Sequence, residues 1–204
     1  MTAARPYRMQ RRAENVDDTR RRIVEATVAL HGSIGPAATT FMGIALRAGV
    51  TRATVYRHFP DEATLFGACS AHWLAQQQQA DPAAWAAVPD PVARLRVGLS
   101  DLYRFYRAGD AMLLRIHHDL DVVPAQHRRR LQQQDERASA ALLAAYPSRA
   151  RSSSRLRAAI GHAVSFWTWR SLCVEHGLSD ADAVAMMVSL AGSASSARAA
   201  PART

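Results

Sequence analysis

Lysine is absent from the chain: all 26 basic residues are arginine, and with 17 acidic residues they leave a formal net charge of +9. We attribute the arginine bias to GC-rich coding, so the position of the charge tells more than its total. Ten arginines and four acidic residues fall in residues 1–60, which carry +6 of the net charge. Positive charge is concentrated at the N-terminal end, and this distribution favours a polyanionic partner there.

Cysteine is scarce, and long apolar runs are missing. Cys69 and Cys173 are far apart and outside any paired-cysteine motif, so the sequence predicts reduced, buried thiols without disulfides or zinc fingers. No run of about 18 apolar residues occurs, and the N-terminal arginines are not followed by an apolar signal core. We therefore expect no membrane segment and a protein that stays in the cytoplasm.

Catalytic motifs are missing too. The sequence has no Ser-His-Asp nucleophile pattern, no phosphate loop and no dinucleotide glycine pattern. Residues 117–121, His-His-Asp-Leu-Asp, suggest a metal site, but adjacent histidines project about 100° apart on a helix. We expect solvated polar residues there, with no metal, no cofactor and no catalytic residue. A helical enzyme that uses the His117 region is the alternative from another class.

Helical periodicity is what the chain has throughout. Apolar residues recur every three or four positions from Asp18 onwards, and capping residues and Gly or Pro breaks separate about nine helices. The predicted fold is all-α, with a three-helix N-terminal head joined to a larger C-terminal helical domain. We assign 1–16 to a flexible basic arm, 17–62 to the head, 63–195 to the larger domain and 196–204 to a disordered tail.

Three predictions concern individual helices of the larger domain. A helix over 91–109 is expected to end at Gly109, with another beginning at Asp110. The apolar stripe over 156–174 predicts one continuous helix. The helix over 61–79 is expected to join the head to the rest of the chain and to act as a lever between them.

Two short capped helices joined by a glycine turn make residues 39–59 a helix-turn-helix. Thr40 and Thr51 have the side chains preferred at helix starts, and Gly49 supplies the permissive turn between the helices. The backbone N–H groups at both starts are suited to bind phosphates. The segment therefore predicts contacts with the DNA backbone at Thr40 and Thr51.

The second of these helices presents an outer face suited to a DNA groove. At 100° per residue, Val55 and Phe59 fall on the core side, whereas Ala53 and Arg57 fall opposite them. Arg52 lies at the helix start, and the small Ala53 allows close approach to DNA. Arginine reads guanine through a bidentate pair, while hydroxyls suit phosphates. We assign base readout to Arg52 and Arg57, with Thr54 and Tyr56 flanking them; the alternative is an ordinary solvated helix face.

The same segment resembles the head of the TetR family of bacterial transcription regulators over residues 20 to 70. The residues that carry the resemblance are Thr39-Thr40, Ile44-Ala45, Ala48-Gly49-Val50, Thr51 and Tyr56-Arg57-His58-Phe59. The resemblance implies DNA-facing positions at Thr40, Thr51, Arg52, Thr54, Tyr56, Arg57 and His58.

Three residues depart from the family pattern. Glu62 stands where the family usually has a phosphate-contacting lysine, His31 replaces a usual core aromatic residue, and Gly43 stands where Asp is frequent. We expect the N-terminal arginines to compensate for Glu62 by entering the adjacent minor groove.

The C-terminal two thirds resemble the family's effector and dimer domain. The resemblance implies a homodimer through the last two helices, which are apolar on more than one face; a fully internal core is the alternative. It also implies a small-molecule effector among the middle helices. The candidate pocket residues, each of which core packing also explains, are Trp73, Trp85, Tyr103, Tyr106, Met112, Ile116, His117 and Phe166.

The function predicted from the sequence is transcriptional regulation through double-stranded DNA. We expect a homodimeric repressor that a small apolar or aromatic effector releases from a palindromic operator. An activator and a regulator without a ligand remain alternatives within this class.

Overall fold

The described part of the chain is all helical, as predicted. The computed structural model describes the backbone of residues 4–196 and the side chains from residue 14 onwards; most of the predicted tail lies outside these residues. The α-helices described are α1 Ala4–Ile34, α2 Phe41–Ala48, α3 Arg52–His58, α4 Glu62–Ala75, α5 Pro82–Trp85, α6 Pro91–His118, α7 Ala125–Leu143, α8 Ser148–Arg151, α9 Ser154–Ala163, α10 Phe166–Arg170 and α11 Asp180–Ser196. A π-helical turn over Ser171–Glu175 continues α10. None of these helices is both long enough and apolar enough to cross a membrane.

The first helix starts earlier than the sequence suggested. Its backbone is helical from Ala4, within residues 1–16 that we assigned to an arm. This segment has no apolar period, but it contains Ala, Arg, Met, Gln and Glu, which all have high helix propensity. Propensity without periodicity is therefore sufficient to extend α1.

The predicted break at Gly109 was wrong, because α6 continues through it to His118. A glycine in a helix interior costs only about 1 kcal/mol relative to alanine. Arg107 and Ala108 before Gly109, and Ala111, Met112 and Leu113 shortly after it, are good helix formers that offset this cost.

Residues 156–174, predicted as one continuous helix, are instead divided into separate helices. α9 ends at Ala163, and the Ser165 side chain caps α10 by accepting a hydrogen bond from the Trp167 N–H at 3.3 Å. Two tyrosines of α6 satisfy the carbonyls at this break. The Tyr103 hydroxyl donates to the Ala163 carbonyl at 3.0 Å, and the Tyr106 hydroxyl donates to the Val164 carbonyl at 2.6 Å.

The described residues divide into two compact units. The first contains the residues up to Gln77 together with Asp110–Arg128, and the second contains Gln78–Gly109 and the residues from Arg129 onwards. This division does not follow the predicted boundary after residue 62. The chain passes from one unit to the other inside α6 and again inside α7.

Long-range contacts explain why residues 110–128 belong with the N-terminal helices. The Asp119 carboxylate accepts a hydrogen bond from the Ala37 N–H at 2.9 Å. The rings of Phe66 and His127 lie 4.9 Å apart, and the Ala63 carbonyl is 3.3 Å from the His127 Nε2. The residues of each pair are more than 60 positions apart in the chain, so the helical periodicity of the sequence could not predict these contacts.

Each unit has an apolar core of its own. In the first unit the core joins α1 to α4, and its buried members are Ile23, Val24, Ala26, Ile44, Ala45, Ala48, Val55, Phe59 and Leu65. In the second unit the largest fully buried side chains are Trp85, Leu95, Leu99, Tyr103, Leu142, Leu156, Ile160 and Trp169. Burial of one large apolar side chain stabilises a fold by about 1.5 to 3 kcal/mol. The two sets of buried residues therefore hold the helices of each unit in place, and α2 and α3 of the helix-turn-helix are among those of the first unit.

His31 is a buried titratable group beside the core of the first unit. It is 6% exposed, its ring lies 5.4 Å from the Phe66 ring, and its Nδ1 is 3.6 Å from the Cys69 Sγ. Burial lowers the pKa of His31 to about 4, although the Asp119 charge acts in the opposite direction. Burial also raises the pKa of the Cys69 thiol to about 12. Both groups are therefore neutral near pH 7.

We expect His31 to make the stability of the protein depend on pH. The free energy that it contributes is complete above about pH 6.5, where the imidazole is neutral in both states, and is lost as the pH falls towards 4, because only the unfolded chain then takes up the proton. The loss is about 1.4 kcal/mol per pH unit and about 3 kcal/mol in total. Urea unfolding of the protein and of His31→Phe between pH 7 and pH 4.5 measures it. Equal pH slopes for the two chains would refute the assignment.

Candidate nucleic-acid interface

The helix-turn-helix begins and turns at the predicted residues. Thr40 is extended, and its side-chain oxygen accepts a hydrogen bond from the Gly43 N–H at 3.0 Å, which caps α2. Gly49 has φ 65°, the left-handed conformation that favours glycine. The N–H of Gly49 donates to the Leu46 carbonyl at 3.2 Å, and that of Val50 donates to the Ala45 carbonyl at 3.0 Å. This Schellman arrangement ends α2 sharply and directs the chain into α3.

The faces of α3 are arranged as helical projection predicts. Val55 and Phe59 are completely buried, whereas Arg52, Ala53 and Arg57 are exposed. At the start of the helix, the Thr51 side chain accepts a hydrogen bond from the Thr54 N–H at 3.1 Å, and the two threonine hydroxyls are 2.9 Å apart. The outer face thus presents two guanidinium groups beside a capped helix start.

Arg52 and Tyr56 form a pair that the sequence reasoning treated as separate contacts. The Arg52 guanidinium donates to the Tyr56 hydroxyl at 3.1 Å and lies 5.3 Å from the centre of its ring. Phe41 supports the tyrosine from behind by stacking on it, with ring centres 4.6 Å apart. The spacing of four residues on α3 is the signal that could have revealed the pair. Since the hydroxyl oxygen accepts from Arg52, its own O–H remains a donor for a phosphate.

His58 is partly buried at the end of α3. Burial lowers its pKa below the usual value, and the charges of Arg57 and Arg20 act in the same direction. The imidazole is therefore neutral near pH 7, and its N–H group is a hydrogen-bond donor that carries no positive charge.

Two arginines of α1 reach the helix-turn-helix, and sequence reasoning counted them only as charge. Arg22 donates to the carbonyl oxygens of Ala48 and Gly49, and Arg20 donates to the carbonyl oxygen of His58. The partners are 26 to 38 residues apart in the chain, so no local pattern could have indicated them.

Asp61 and Glu62 place negative charge at the start of α4. Asp61 caps the helix, since its carboxylate accepts a hydrogen bond from the Thr64 N–H at 2.6 Å, and that bond lowers the pKa of Asp61. Glu62 is exposed in the first turn, where the helix dipole favours an acidic side chain. Glu62 therefore suits the helix while it adds a negative charge to the head.

The predicted effector residues fall in both units, four in each. Those in the first unit are Trp73, Met112, Ile116 and His117, and those in the second unit are Trp85, Tyr103, Tyr106 and Phe166. The four aromatic residues of the second unit are buried in its core. Besides the two tyrosine bonds at the α9–α10 break, the Trp85 Nε1 donates to the Asp101 carboxylate at 2.9 Å, and Phe166 meets the Tyr106 ring edge-on at 5.6 Å.

Two cavities are described, and none of the eight predicted effector residues lines either of them. A cavity of about 550 Å³ in the first unit is lined in part by Thr40, Arg52 and Tyr56. A cavity of about 260 Å³ in the second unit is lined in part by Trp167 and Met187.

The polar stretch at 117–121 has structural contacts of its own. The Asp119 carboxylate, which accepts the Ala37 N–H, also lies 2.9 Å from the His118 Nδ1. Burial lowers the pKa of His117. Within the described residues, no group of three or more His, Cys, Asp or Glu side chains is placed to hold a metal ion.

The comparison with known families identifies the head. Residues 23–69, from α1 into α4, match the family model described as bacterial regulatory proteins, tetR family. Residues 23–69 therefore form a helix-turn-helix head of the TetR family. The protein is therefore a DNA-binding transcriptional regulator with an all-helical fold.

One solved structure shows the same fold at low sequence identity. NalD, the secondary repressor of the MexAB-OprM multidrug efflux pump in Pseudomonas aeruginosa, is 19% identical, with a TM-score of 0.53 over 89% of this chain and 97% of that chain. A TetR transcriptional regulator from Rhodococcus sp. RHA1 is 18% identical, with a TM-score of 0.48 over 87% of this chain and 96% of that chain. A comparison with curated protein sequences finds no match.

Proposed function

We propose that this TetR-family regulator is a homodimeric repressor of a palindromic operator and that a small apolar or aromatic molecule releases it. The observation that carries the proposal is the outer face of α3, where Arg52 and Arg57 are exposed opposite the buried Val55 and Phe59. On this reading the two arginines read bases. Thr40, Thr51, Thr54, Tyr56 and His58 bind phosphates, and Ala53 permits the close approach.

Exposed apolar side chains near the C-terminal end of the second unit support the dimer. Trp167 is 46% exposed and Val174 is 44% exposed. On α11, Met186 and Leu190 are 48% and 42% exposed and lie four residues apart, so they share one side of the helix. A second copy related by a two-fold axis would cover this side with the same residues. Two heads then face half-sites about one helical turn, or a multiple of it, apart.

Effector release requires a conformation that the small molecule prefers and in which the heads no longer match the half-sites. We propose α4 as the lever, because it begins directly after the helix-turn-helix. The candidate effector contacts remain our proposal within each unit separately: Trp73, Met112, Ile116 and His117 in the first unit, and Trp85, Tyr103, Tyr106 and Phe166 in the second. The description of NalD as a repressor supports repression as the effect of this protein on transcription. NalD represses a multidrug efflux pump, which is consistent with control by a small molecule.

A reporter assay tests the regulatory sign. The DNA upstream of the gene for this protein is fused to a reporter in a host that lacks the regulator, and the intact protein is then supplied. A repressor lowers transcription, and an effector restores it. Higher transcription would identify an activator, and lower transcription that no small molecule relieves would identify a regulator without a ligand.

Replacement of Glu62 by lysine is expected to strengthen DNA binding. Glu62 occupies the family's phosphate-contacting position and is exposed, so the change replaces a repulsion by an attraction. We expect affinity to rise about tenfold at low salt and the slope of log K against log salt to steepen by about 0.9 for each of the two half-sites that the dimer binds.

The matched control is Glu136→Lys, the same change at an exposed residue of the second unit. Fluorescence anisotropy over a salt series compares the two variants on one DNA. If both steepen the slope equally, overall charge explains the gain and Glu62 has no special position.

A further inference from the structure

At the C-terminal end of each helix of the helix-turn-helix, backbone carbonyl groups accept hydrogen bonds from an arginine of α1. Arg22 holds the end of α2, since its Nε donates to the Ala48 carbonyl at 3.2 Å and one of its terminal nitrogens donates to the Gly49 carbonyl at 3.1 Å. Arg20 holds the end of α3, since it donates to the His58 carbonyl at 3.3 Å and lies 4.3 Å from the centre of the Phe59 ring.

These contacts satisfy groups that a helix end leaves open. The last carbonyls of a helix lack partners inside it and form the negative end of its dipole, so a cation there is stabilising. The planar guanidinium can donate to two carbonyls at once, which an ammonium group cannot do in the same geometry. Ala48 and Gly49 form the turn itself, so a bond to both carbonyls fixes the direction in which α3 leaves α2.

Arg21, the residue between them, behaves differently. Its guanidinium lies 3.1 Å from the Glu25 carboxylate and also pairs with Asp18, both on α1. Its side chain is 58% exposed, and its hydrogen bonds and ion pairs with the described residues all lie on its own helix. The three consecutive arginines therefore supply a matched comparison, because they share a helix and a charge but differ in what they hold.

We propose that Arg22, assisted by Arg20, is a positioning residue for DNA recognition: it sets the angle of α3 through the Ala48–Gly49 turn and does not act as a phosphate contact. This inference rests on the proposed role of α3 in reading DNA. Arg22 acts through the backbone of the turn, so its contribution depends on guanidinium geometry and not on charge alone. The basic charge of the head is accordingly divided between groups that bind the protein's own helix ends and groups that face DNA.

Salt dependence and a charge-conserving variant separate the two roles. A residue that neutralises a phosphate contributes about 0.9 to the slope of log K against log salt, and lysine replaces it well. A positioning residue changes affinity equally at every salt concentration, and lysine does not replace it. The full chain is titrated on its selected DNA site as wild type, Arg22→Lys, Arg22→Gln and the control Arg21→Gln.

We expect both Arg22 variants to bind about tenfold more weakly at every salt concentration, with the Arg22→Lys slope equal to the wild-type slope and the Arg22→Gln slope equal to that of Arg21→Gln. Wild-type affinity in Arg22→Lys would overturn the proposal, as would a slope change in Arg22→Gln that exceeds the one in Arg21→Gln. If Arg22→Gln does not fold, Arg22→Lys alone decides between the two roles.

Hydrogen exchange supplies a readout that does not need DNA. We expect the amide hydrogens of Val50 and α3 to exchange faster in Arg22→Lys than in wild type, and those of the second unit to stay unchanged. Unchanged exchange at the turn would contradict the proposal. A failure of the DNA-reading role is recognised separately, because Arg57→Ala would then bind DNA as wild type does while the exchange experiment still tests the turn.

Discussion

Replacement of Arg57 by alanine is expected to weaken operator binding by about 1 to 3 kcal/mol in each half-site, a factor of roughly 5 to 150 per half-site, and to relax the preference at one base position of each. Arg57 is exposed on the side of α3 opposite the buried Val55. A guanidinium there can donate two parallel hydrogen bonds to guanine, and no other base presents the same pair of acceptors in the major groove. Because the side chain is exposed, the free energy of unfolding should change by less than about 0.5 kcal/mol.

Arg57→Lys is the control that separates base reading from charge. Lysine keeps the positive charge but loses the planar fork, so the variant should keep the wild-type salt slope while its discrimination at that base falls. Anisotropy titrations on the operator and on single-base variants of it measure both quantities. Unchanged affinity and unchanged base preference in a folded Arg57→Ala chain would show that the recognition assignment is wrong.

Replacement of both Met186 and Leu190 by glutamate is expected to separate the proposed dimer and to reduce operator affinity by at least about a hundredfold. The two side chains are half exposed on one side of α11. A two-fold interface would bring four new carboxylates together in an apolar contact, and an unpaired buried charge costs several kcal/mol. A single head makes only half of the DNA contacts, which explains the expected loss of affinity.

The matched control is the double variant Val92→Glu and Val97→Glu. These valines of α6 are 46% and 45% exposed, so the change introduces the same two charges at similarly exposed apolar positions of the same unit. Native mass spectrometry and sedimentation velocity should give a monomer for the α11 variant and a dimer for the control, with wild-type helix content in both. An α11 variant that remains dimeric would exclude this side of α11 as the interface.

Local chemistry made the helix-turn-helix predictable from the sequence. The caps at Thr40 and Thr51 and the left-handed Gly49 depend on residues within one helical turn of each other. The opposite faces of α3 follow from the 100° rotation per residue, which does not depend on the rest of the fold. Such features need no knowledge of distant parts of the chain.

Contacts between distant residues were not predictable in the same way. The break between α9 and α10 is held by tyrosine hydroxyls that come from residues 58 to 60 positions earlier. Arg22 reaches the Ala48 carbonyl across 26 residues. From the sequence alone, an arginine among other charged residues is predicted to be solvated, because only the folded structure shows that a helix end lies beside it. The sequence could not separate effector contacts from core residues either, because an aromatic residue in an apolar helical stripe is equally compatible with core packing and with lining a pocket.

Selection of bound DNA from a random library is the most direct test of the central claim, that α3 of each chain in a dimer reads one half of a symmetric operator. The full chain is used, and the recovered sequences are aligned. We predict an inverted repeat whose half-site centres lie about 10 base pairs, or a multiple of that, apart, with a guanine in each half-site that Arg57→Ala no longer selects. Recovery of a single unrepeated site, or no enrichment over random DNA, would contradict the account.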